Sequence, residues 1–345
     1  MESALVIASR VGPVGRLTLN RPESLNALDL PMIRAVRRHL DKWRGVVGAV
    51  VVDGVGDRGF CAGGDIKVVH DSLLHDHGIV EELWREEYAL DYTVATYPHP
   101  VVTVMHGITM GGGMGLGAHA SHRVVTASSR LAMPEVRIGM APDVAGTLLL
   151  GRMSGRLGEH FALTAAEARG ADAVHLGLAD VLVEESRLGE VVERVAADGP
   201  DAMSASLAVE LPPCTWDSAR PWIDDAYAAP RLPDVLARLA SRPEDAAREA
   251  VAALAALPPR ALAVSLAAVR RARAADDVAA VLRQDLRVML RFLDSTDPAE
   301  GIRARVIDRT RPPTWSPANP SDVPDSLVDR HFQPLEHELE LPSAR

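Results

Sequence analysis

Two glycine-rich stretches, FCAGGDIK at residues 60–67 and HGITMGGGMG at residues 106–115, decide how this chain is read. Each follows a β-branched run, Ala49 to Asp53 in the first case and Val101 to Met105 in the second, which is the composition of a buried strand. Small residues placed right after a strand let the backbone approach a ligand closely, with N–H groups pointing into a cavity. Two such loops can converge on one oxygen, and a carbonyl gripped by two backbone donors is polarised toward an oxyanion. Taken singly, each loop reads equally well as a set of tight turns. Gly113-x-Gly115-x-Gly117 also invites a dinucleotide-binding reading, but the spacing falls short of that fingerprint, and Glu135 follows Met133-Pro134 instead of closing a second strand.

Flanking these loops, Leu5 to Ser9 and Gly15 to Asn20 are short apolar runs around Val-Gly-Pro, the pattern of a hairpin. Met32, Val36 and Leu40 fall at helical spacing within Asp29 to Trp43. Ile79 to Tyr97 reads as a helix, Arg123 to Thr126 and Ala179 to Val183 as strands, and the alanine-rich segment His160 to Arg169 as a helix between them. Strands and helices therefore alternate through the first half, an α/β pattern. After about Ser186 strand-like runs stop, and Pro212-Pro213, Pro230 and Pro258-Pro259 cut the chain into helical pieces. Asp276-Asp277 before Val278, Val281, Leu282, Leu286, Met289 and Phe292 predicts a capped amphipathic helix. We divide the chain into a catalytic core, residues 1–190, and a helical carboxy-terminal section, residues 191–345, whose proline-rich end from Pro312 to Pro324 lies across the surface.

The 345 residues are 47% hydrophobic, enough for a sizeable core, and 37 Lys and Arg against 47 Asp and Glu leave a net charge of -10. That balance argues against a general nucleic-acid binder and for a small-molecule partner. No apolar run approaches the ~20 residues of a membrane span, so no membrane partner is expected. Cys61 and Cys214 alone make no disulfide framework, and with no leader pattern at the amino terminus they fit a reducing, cytoplasmic setting.

The segment MPEVRIGMAPDVAG, residues 133–146, sets Glu135 and Asp143 in apolar, turn-rich surroundings. Carboxyls with little charge around them have raised pKa values and serve as general acids or bases. The plainer alternative pairs Glu135 with Arg137 and uses Asp143 as a helix cap. Other designs find less support. There is no Gly-x-Ser-x-Gly elbow, Cys61 has no identifiable histidine partner, and His70, His75 and His77 with Asp71 and Asp76 match no zinc spacing, so no metal is expected. Lys67, after the first loop, reads as an exposed lysine and not as a committed site residue.

Four segments, NRPESLNAL at 20–28, CAGGDI at 61–66, the triple glycine at 111–113 and Met133-Pro-Glu135, occur in an order and spacing that resemble the crotonase superfamily over roughly residues 5 to 185. The resemblance implies a spiral of ββα units and an acyl-CoA substrate whose thioester oxygen is gripped by the N–H groups of Gly64 and Gly112. Enoyl-CoA hydratases of the family carry a glutamate two residues after the triple glycine, where this chain has Gly115; Glu135 matches their second glutamate. Met-Pro-Glu with Asp143 eight residues later, together with Arg85-Glu-Glu-Tyr88, resembles the 3-hydroxyisobutyryl-CoA hydrolase subgroup, in which the residue matching Glu87 lies at the substrate. That likeness continues through Phe292-Leu-Asp294, Glu300-Gly-Ile-Arg-Ala304, Val306-Ile-Asp308 and Pro313-Thr-Trp-Ser-Pro317. Ala145, where a glycine is common, and Ala141, where a larger apolar residue is common, depart from the pattern.

The resemblance implies a crotonase-like α/β spiral with a helical carboxy-terminal section. It implies a thioester hydrolase of valine breakdown, with Glu135 and Asp143 catalytic, Gly64 and Gly112 as the oxyanion hole and Glu87 at the substrate. No cofactor is expected beyond the CoA that arrives with the substrate. A homo-oligomer is expected. Two other readings stay open: a hydratase or isomerase working with Glu135 alone, and a noncatalytic acyl-CoA-binding protein.

Overall fold

In the computed structural model, which describes residues 4–341, the hairpin forms as β1 (Val6–Val11) and β2 (Val14–Leu19), turning at Gly12 with φ +55°. Helix α1 (Leu30–Trp43) follows, capped by Asp29, whose side chain accepts from Met32 N–H at 2.9 Å. Strand β3 (Ala49–Gly54) is buried along both faces: Val50 and Val52 enter one hydrophobic cluster, Ala49 and Val51 another. This two-sided burial is why the run is continuously apolar instead of alternating.

The first glycine loop leads from β3 into α2 (Ile66–His75) and α3 (His77–Ala95). Strand β4 (Val101–Val104) then delivers the second, through β5 (Ile108–Met110), into the short helix α4 (Gly112–Ala118). Strands β6 (His122–Val125), β7 (Arg130–Ala132), β8 (Ala168–Arg169) and β9 (Val181–Leu182) complete two sheets. One is six-stranded in the order β1-β2-β3-β4-β6-β9, parallel after the opening hairpin; the other is β5-β7-β8. The small sheet lies beyond the carboxyl ends of β3 and β4, which sets the two glycine loops side by side. Bridges between Gly59 and Gly107 and between Cys61 and Thr109 join them.

The structure corrects the reading of residues 160–169. The helix is Leu157–Thr164 and stops at Ala165, which adopts φ +52°, so that Ala168 and Arg169 leave to pair with β7. Alanine content favours a helix, but the pairing with β7 is a long-range contact that local propensity does not register. Strands β5, β7 and β8 span two or three residues each, too short for an alternation to be seen.

Beyond Val191 the elements are helices joined by turns. The helices Val191–Asp198 and Pro200–Leu207 cover the outer face of the large sheet through Val191, Val195, Met203 and Leu207. The helices Pro259–Ala272 and Val278–Phe292 share the larger cluster with the first half; Asp277 caps the second of these by accepting from Ala280 N–H at 2.7 Å. We propose that residue 190 marks a change of architecture over one shared core and not a break between two folding units. Among the described residues no single helix is long and apolar enough to cross a membrane.

Candidate active site

The segment Asn20–Leu28 works as a clasp. Asn26, fully buried, takes a hydrogen bond from Arg21 N–H and donates to the carbonyls of Val55 and Gly59. Arg21 reaches across to Asp65 at 2.9 Å, and Leu28 bonds on both sides of Gly64: its N–H to Gly63 O and its carbonyl to Asp65 N–H, each at 2.8 Å. The loop is thereby anchored at its ends, and Asp65 in turn caps α2. Gly63 has φ +102°, and a Cβ there would stand 2.9 Å from Met110 O.

The second loop turns at Gly111, with φ +51° and ψ -123°, a conformation open only to glycine. Gly112 then starts α4, so its N–H has no partner within the helix. Among the described residues, neither Gly64 N–H nor Gly112 N–H donates to a backbone carbonyl. A Cβ on Gly112 would lie 3.4 Å from Gly64 N and would collide with Glu87 Oε1. The two glycines and Glu87 therefore meet at one point, on the floor of a cavity of about 250 Å³ that Glu135 and Asp143 also line. A larger open groove of about 830 Å³ lies on the outer face of α3, lined by charged side chains such as Arg37, Glu82 and Glu338, away from these groups.

Helix α3 supplies the wall. Within Arg85-Glu-Glu-Tyr88, Arg85 donates to the carbonyls of His337 and Glu338, and Glu86 pairs with Arg37 of α1. Glu87 faces the cavity, and Tyr88 donates its hydroxyl to Asp143 Oδ2 at 2.6 Å. One turn after Glu87 comes Asp91, fully buried. A Cβ on Gly115 would stand 2.7 and 2.8 Å from its two carboxylate oxygens. Two acids one turn apart on α3 thus rest on two glycines three apart on α4. Both oxygens of Asp91, Glu87 Oε1 and Glu135 Oε2 are buried with no hydrogen-bond partner among the described residues.

Unpaired buried carboxyls hold their protons, because the charged form loses its water. Burial, with the Asp143 charge as a second cause, pushes Glu87 up to about 8. Burial and then Asp143 likewise raise Glu135 well above the usual carboxylate range. Burial and the charge of Glu87 do the same to Asp91. Asp143 rises only to about 6, since the Tyr88 hydroxyl favours its ionised form. Of these carboxyls Asp143 is therefore the one that ionises most readily.

Neither plainer alternative for these acids is what the structure contains. Arg137 donates to the carbonyls of Ala165 and Thr164, not to Glu135, while the Asp143 side chain takes Tyr88 instead of capping a helix. The turn Glu135–Ile138 is seated from behind by the carboxy-terminal section: a Cβ on Gly301 would lie 2.5 Å from the Ile138 carbonyl carbon, and Gly139 packs as closely on Asp297. Met289, Arg305 and Val306 from the same section complete the cavity lining.

Lys67 is exposed on the first turn of α2. Cys61 is buried, and desolvation pushes its thiol up to about 12, far from a ready nucleophile. His75 pairs with Asp71, Asp76 caps α3, and among the described residues no three His, Cys, Asp or Glu side chains form a group able to hold a metal ion. Sequence reading quoted Tyr88 within Arg85-Glu-Glu-Tyr88 without giving it a role, and missed Asp91, His119 and Asp285. Of these three Asp91 alone left a trace, standing four residues after Glu87 on a helical pattern.

The profile of the enoyl-CoA hydratase/isomerase family matches residues 14–332. The chain belongs to that family. Among curated relatives, the rat protein named "3-hydroxyisobutyryl-CoA hydrolase, mitochondrial" is 32% identical over 97% of this chain and 90% of its own length. The human protein of the same name is 31% identical over 96% and 89%. A solved structure described as a carnitinyl-CoA dehydratase from Mycobacterium thermoresistibile superposes with a TM-score of 0.94 at 41% identity, covering 97% of this chain and 98% of the other. One described as an enoyl-CoA hydratase from Rhodobacter sphaeroides 2.4.1 has a TM-score of 0.92 at 36% identity, covering 98% and 100%. The crotonase-like α/β fold is thus established along with the family.

The comparisons overturn the cytoplasmic expectation, since the rat, zebrafish, mouse and human relatives are all named as mitochondrial proteins. Sparse cysteines report on the redox character of a compartment and carry no address.

Proposed function

We propose that this chain hydrolyses the thioester of a short hydroxyacyl-CoA, with 3-hydroxyisobutyryl-CoA of valine breakdown as its substrate. The observation that carries the proposal is the meeting of two unpartnered backbone N–H groups, Gly64 and Gly112, with three carboxyls, Glu87, Glu135 and Asp143, around one cavity. The names of the curated relatives support it. At about 250 Å³ the cavity falls below the ~300–1,000 Å³ of sites for drug-sized ligands, so it suits a short acyl group with the rest of CoA outside.

The thioester oxygen would sit between the two N–H groups, where developing negative charge is stabilised without reorganisation. Glu135 either attacks the carbonyl carbon, breaking the C–S bond to form an anhydride that water then cleaves to release the acid and restore the carboxyl, or takes a proton from a water that attacks directly. Asp143 holds the water or the substrate hydroxyl and returns a proton to the leaving thiolate; Glu87 borders the hydroxyacyl end. Burial raises Glu135 further than Asp143, whose ionised form the Tyr88 hydroxyl favours, so in this division of roles Glu135 passes its proton to Asp143 before attack. One negative charge shared by the pair, not two, is what the dry cavity tolerates. No cofactor is needed beyond the CoA of the substrate.

The solved structures described as a dehydratase and a hydratase favour a second reading, water addition or removal at an acyl-CoA. Against it stands Gly115, over which the Asp91 carboxylate occupies the place of any side chain. Release of free thiol from 3-hydroxyisobutyryl-CoA, beside crotonyl-CoA and acetyl-CoA, separates the two. Turnover of the hydroxyacyl thioester is expected, falling ~10²–10⁴-fold in Glu135→Gln and in Asp143→Asn. Hydration of crotonyl-CoA without thiol release would replace the hydrolase reading with the hydratase one.

A further inference from the structure

The helix Val278–Phe292 sends one polar side chain into the wall of the cavity. Asp285, fully buried, accepts from Ala145 N–H at 2.8 Å and from Thr147 Oγ1 at 3.4 Å. The backbone it meets is unusual. Val144 and Ala145 stand at φ +51° and +53°, the left-handed region where a Cβ crowds the following carbonyl and a β-branched side chain is least tolerated. Such residues persist only where the surroundings over-determine them. Here His119 Nε2 donates to Val144 O at 2.8 Å, Gly146 N–H returns to Asp143 O at 2.6 Å, and Asp285 holds the one N–H between them. The residue that immediately precedes this strained pair is Asp143.

We propose that Asp285 is a positioning residue for the reaction: by accepting from Ala145 N–H it locks the left-handed Val144–Ala145 pair and so aims the Asp143 carboxylate into the cavity. The inference rests on the hydrolase reading for what Asp143 does, and on hydrogen bonds and dihedral angles for how it is held. A purely packing role would be met as well by leucine, without burying yet another acid near Asp143. Only an acceptor at this place satisfies the Ala145 N–H. Both oxygens of Asp285 accept, and an amide oxygen accepts from a backbone N–H as a carboxyl oxygen does, so asparagine is a fair mimic.

Asp285→Ala is expected to lower kcat on the order of 100-fold with KM within about threefold, the signature of a misaimed group and not of lost binding. Asp285→Asn should stay within about threefold of the unsubstituted protein, because its amide oxygen still accepts. The deciding variant is the double Asp285→Ala, Ala145→Gly. Glycine adopts φ +53° without strain, so the double variant should recover most of the lost turnover. Thermal unfolding gives an arm independent of activity: the effects of Asp285→Ala and Ala145→Gly on Tm should be non-additive, the glycine offsetting the loss.

Full turnover in folded Asp285→Ala, or a double variant as slow as Asp285→Ala while Ala145→Gly alone is active, overturns the proposal. Where Asp285→Ala does not fold, a folded and active double variant supports it and an unfolded one overturns it. If the unsubstituted protein releases no thiol, the hydrolase reading fails by itself; the Tm cycle still tests the clamp, and additive effects there overturn it.

Discussion

In the proposed reaction the floor of the cavity works with backbone, at Gly64 and Gly112, whereas the wall works with side chains, Glu87 of α3 and Asp143 of the loop beside it, backed by Tyr88 and Asp91. The floor is held by the clasp Asn20–Leu28, which grips residues 55–65 of the first loop, and by bridges between two strand ends. The wall depends on elements far apart in the chain: α3, the turn after β7 and the helix Val278–Phe292. The floor is neutral and its donors are unshared. The wall concentrates acids that repel one another and therefore keep protons. The two meet at Gly112, where an added Cβ would run into Glu87 Oε1.

Gly112→Ala tests that meeting most severely. The new Cβ collides with Glu87 Oε1 and stands 3.4 Å from Gly64 N, so both the oxygen site and the wall must shift. Turnover should fall on the order of 10²–10³-fold, the scale of losing one oxyanion donor. Wild-type thiol release from this variant would mean that the floor does not hold the thioester oxygen.

Tyr88→Phe disturbs the wall alone. The hydroxyl stabilises the ionised form of Asp143, so its loss lets Asp143 keep a proton to higher pH. The acid limb of kcat/KM, expected near 6 in the unsubstituted protein, should move upward, with a loss of roughly tenfold at neutral pH. A limb that stays in place would detach Asp143 from the pH dependence.

Asp91→Asn reaches the back of the wall. Folded Asp91 retains a proton that the unfolded chain gives up near the usual carboxylate pKa, so its contribution to stability is lost as pH rises through the folded value. Asparagine titrates nowhere in this range. The variant should be more stable, by ~1–3 kcal/mol, with a gain that is larger at pH 8 than at pH 5, and its turnover should change little. A loss of Tm at pH 8 would show that the carboxylate is paired after all. Together the three variants ask whether floor and wall are separable.

The two glycine loops were legible from residues alone because their devices are local: a strand run, small residues after it and a turn that only glycine makes. The choice of Gly64 and Gly112 within them came from the family resemblance. Gly64, Gly112, Glu87, Glu135 and Asp143 line one cavity, and Asp29 and Asp277 cap the helices that their neighbours predicted. The alanine-rich segment before Arg169 failed for the opposite reason. Its end is decided by pairing with β7, and no pattern within the segment records that partner.

By itself the sequence determined where strands hand over to glycine loops, which acids lie in apolar surroundings and where the chain turns wholly helical, since these follow from side-chain size, backbone freedom and hydrophobic period acting over a few residues. Only the tertiary structure decided that Tyr88 would bear on Asp143, that Asp91 would lie over Gly115, and that Asp285, 140 residues from Ala145, would hold its N–H. Those pairings, and the proton occupancy they impose, arise from packing distant elements into one dry space, where desolvation and the repulsion of like charges act between groups that no sequence interval connects.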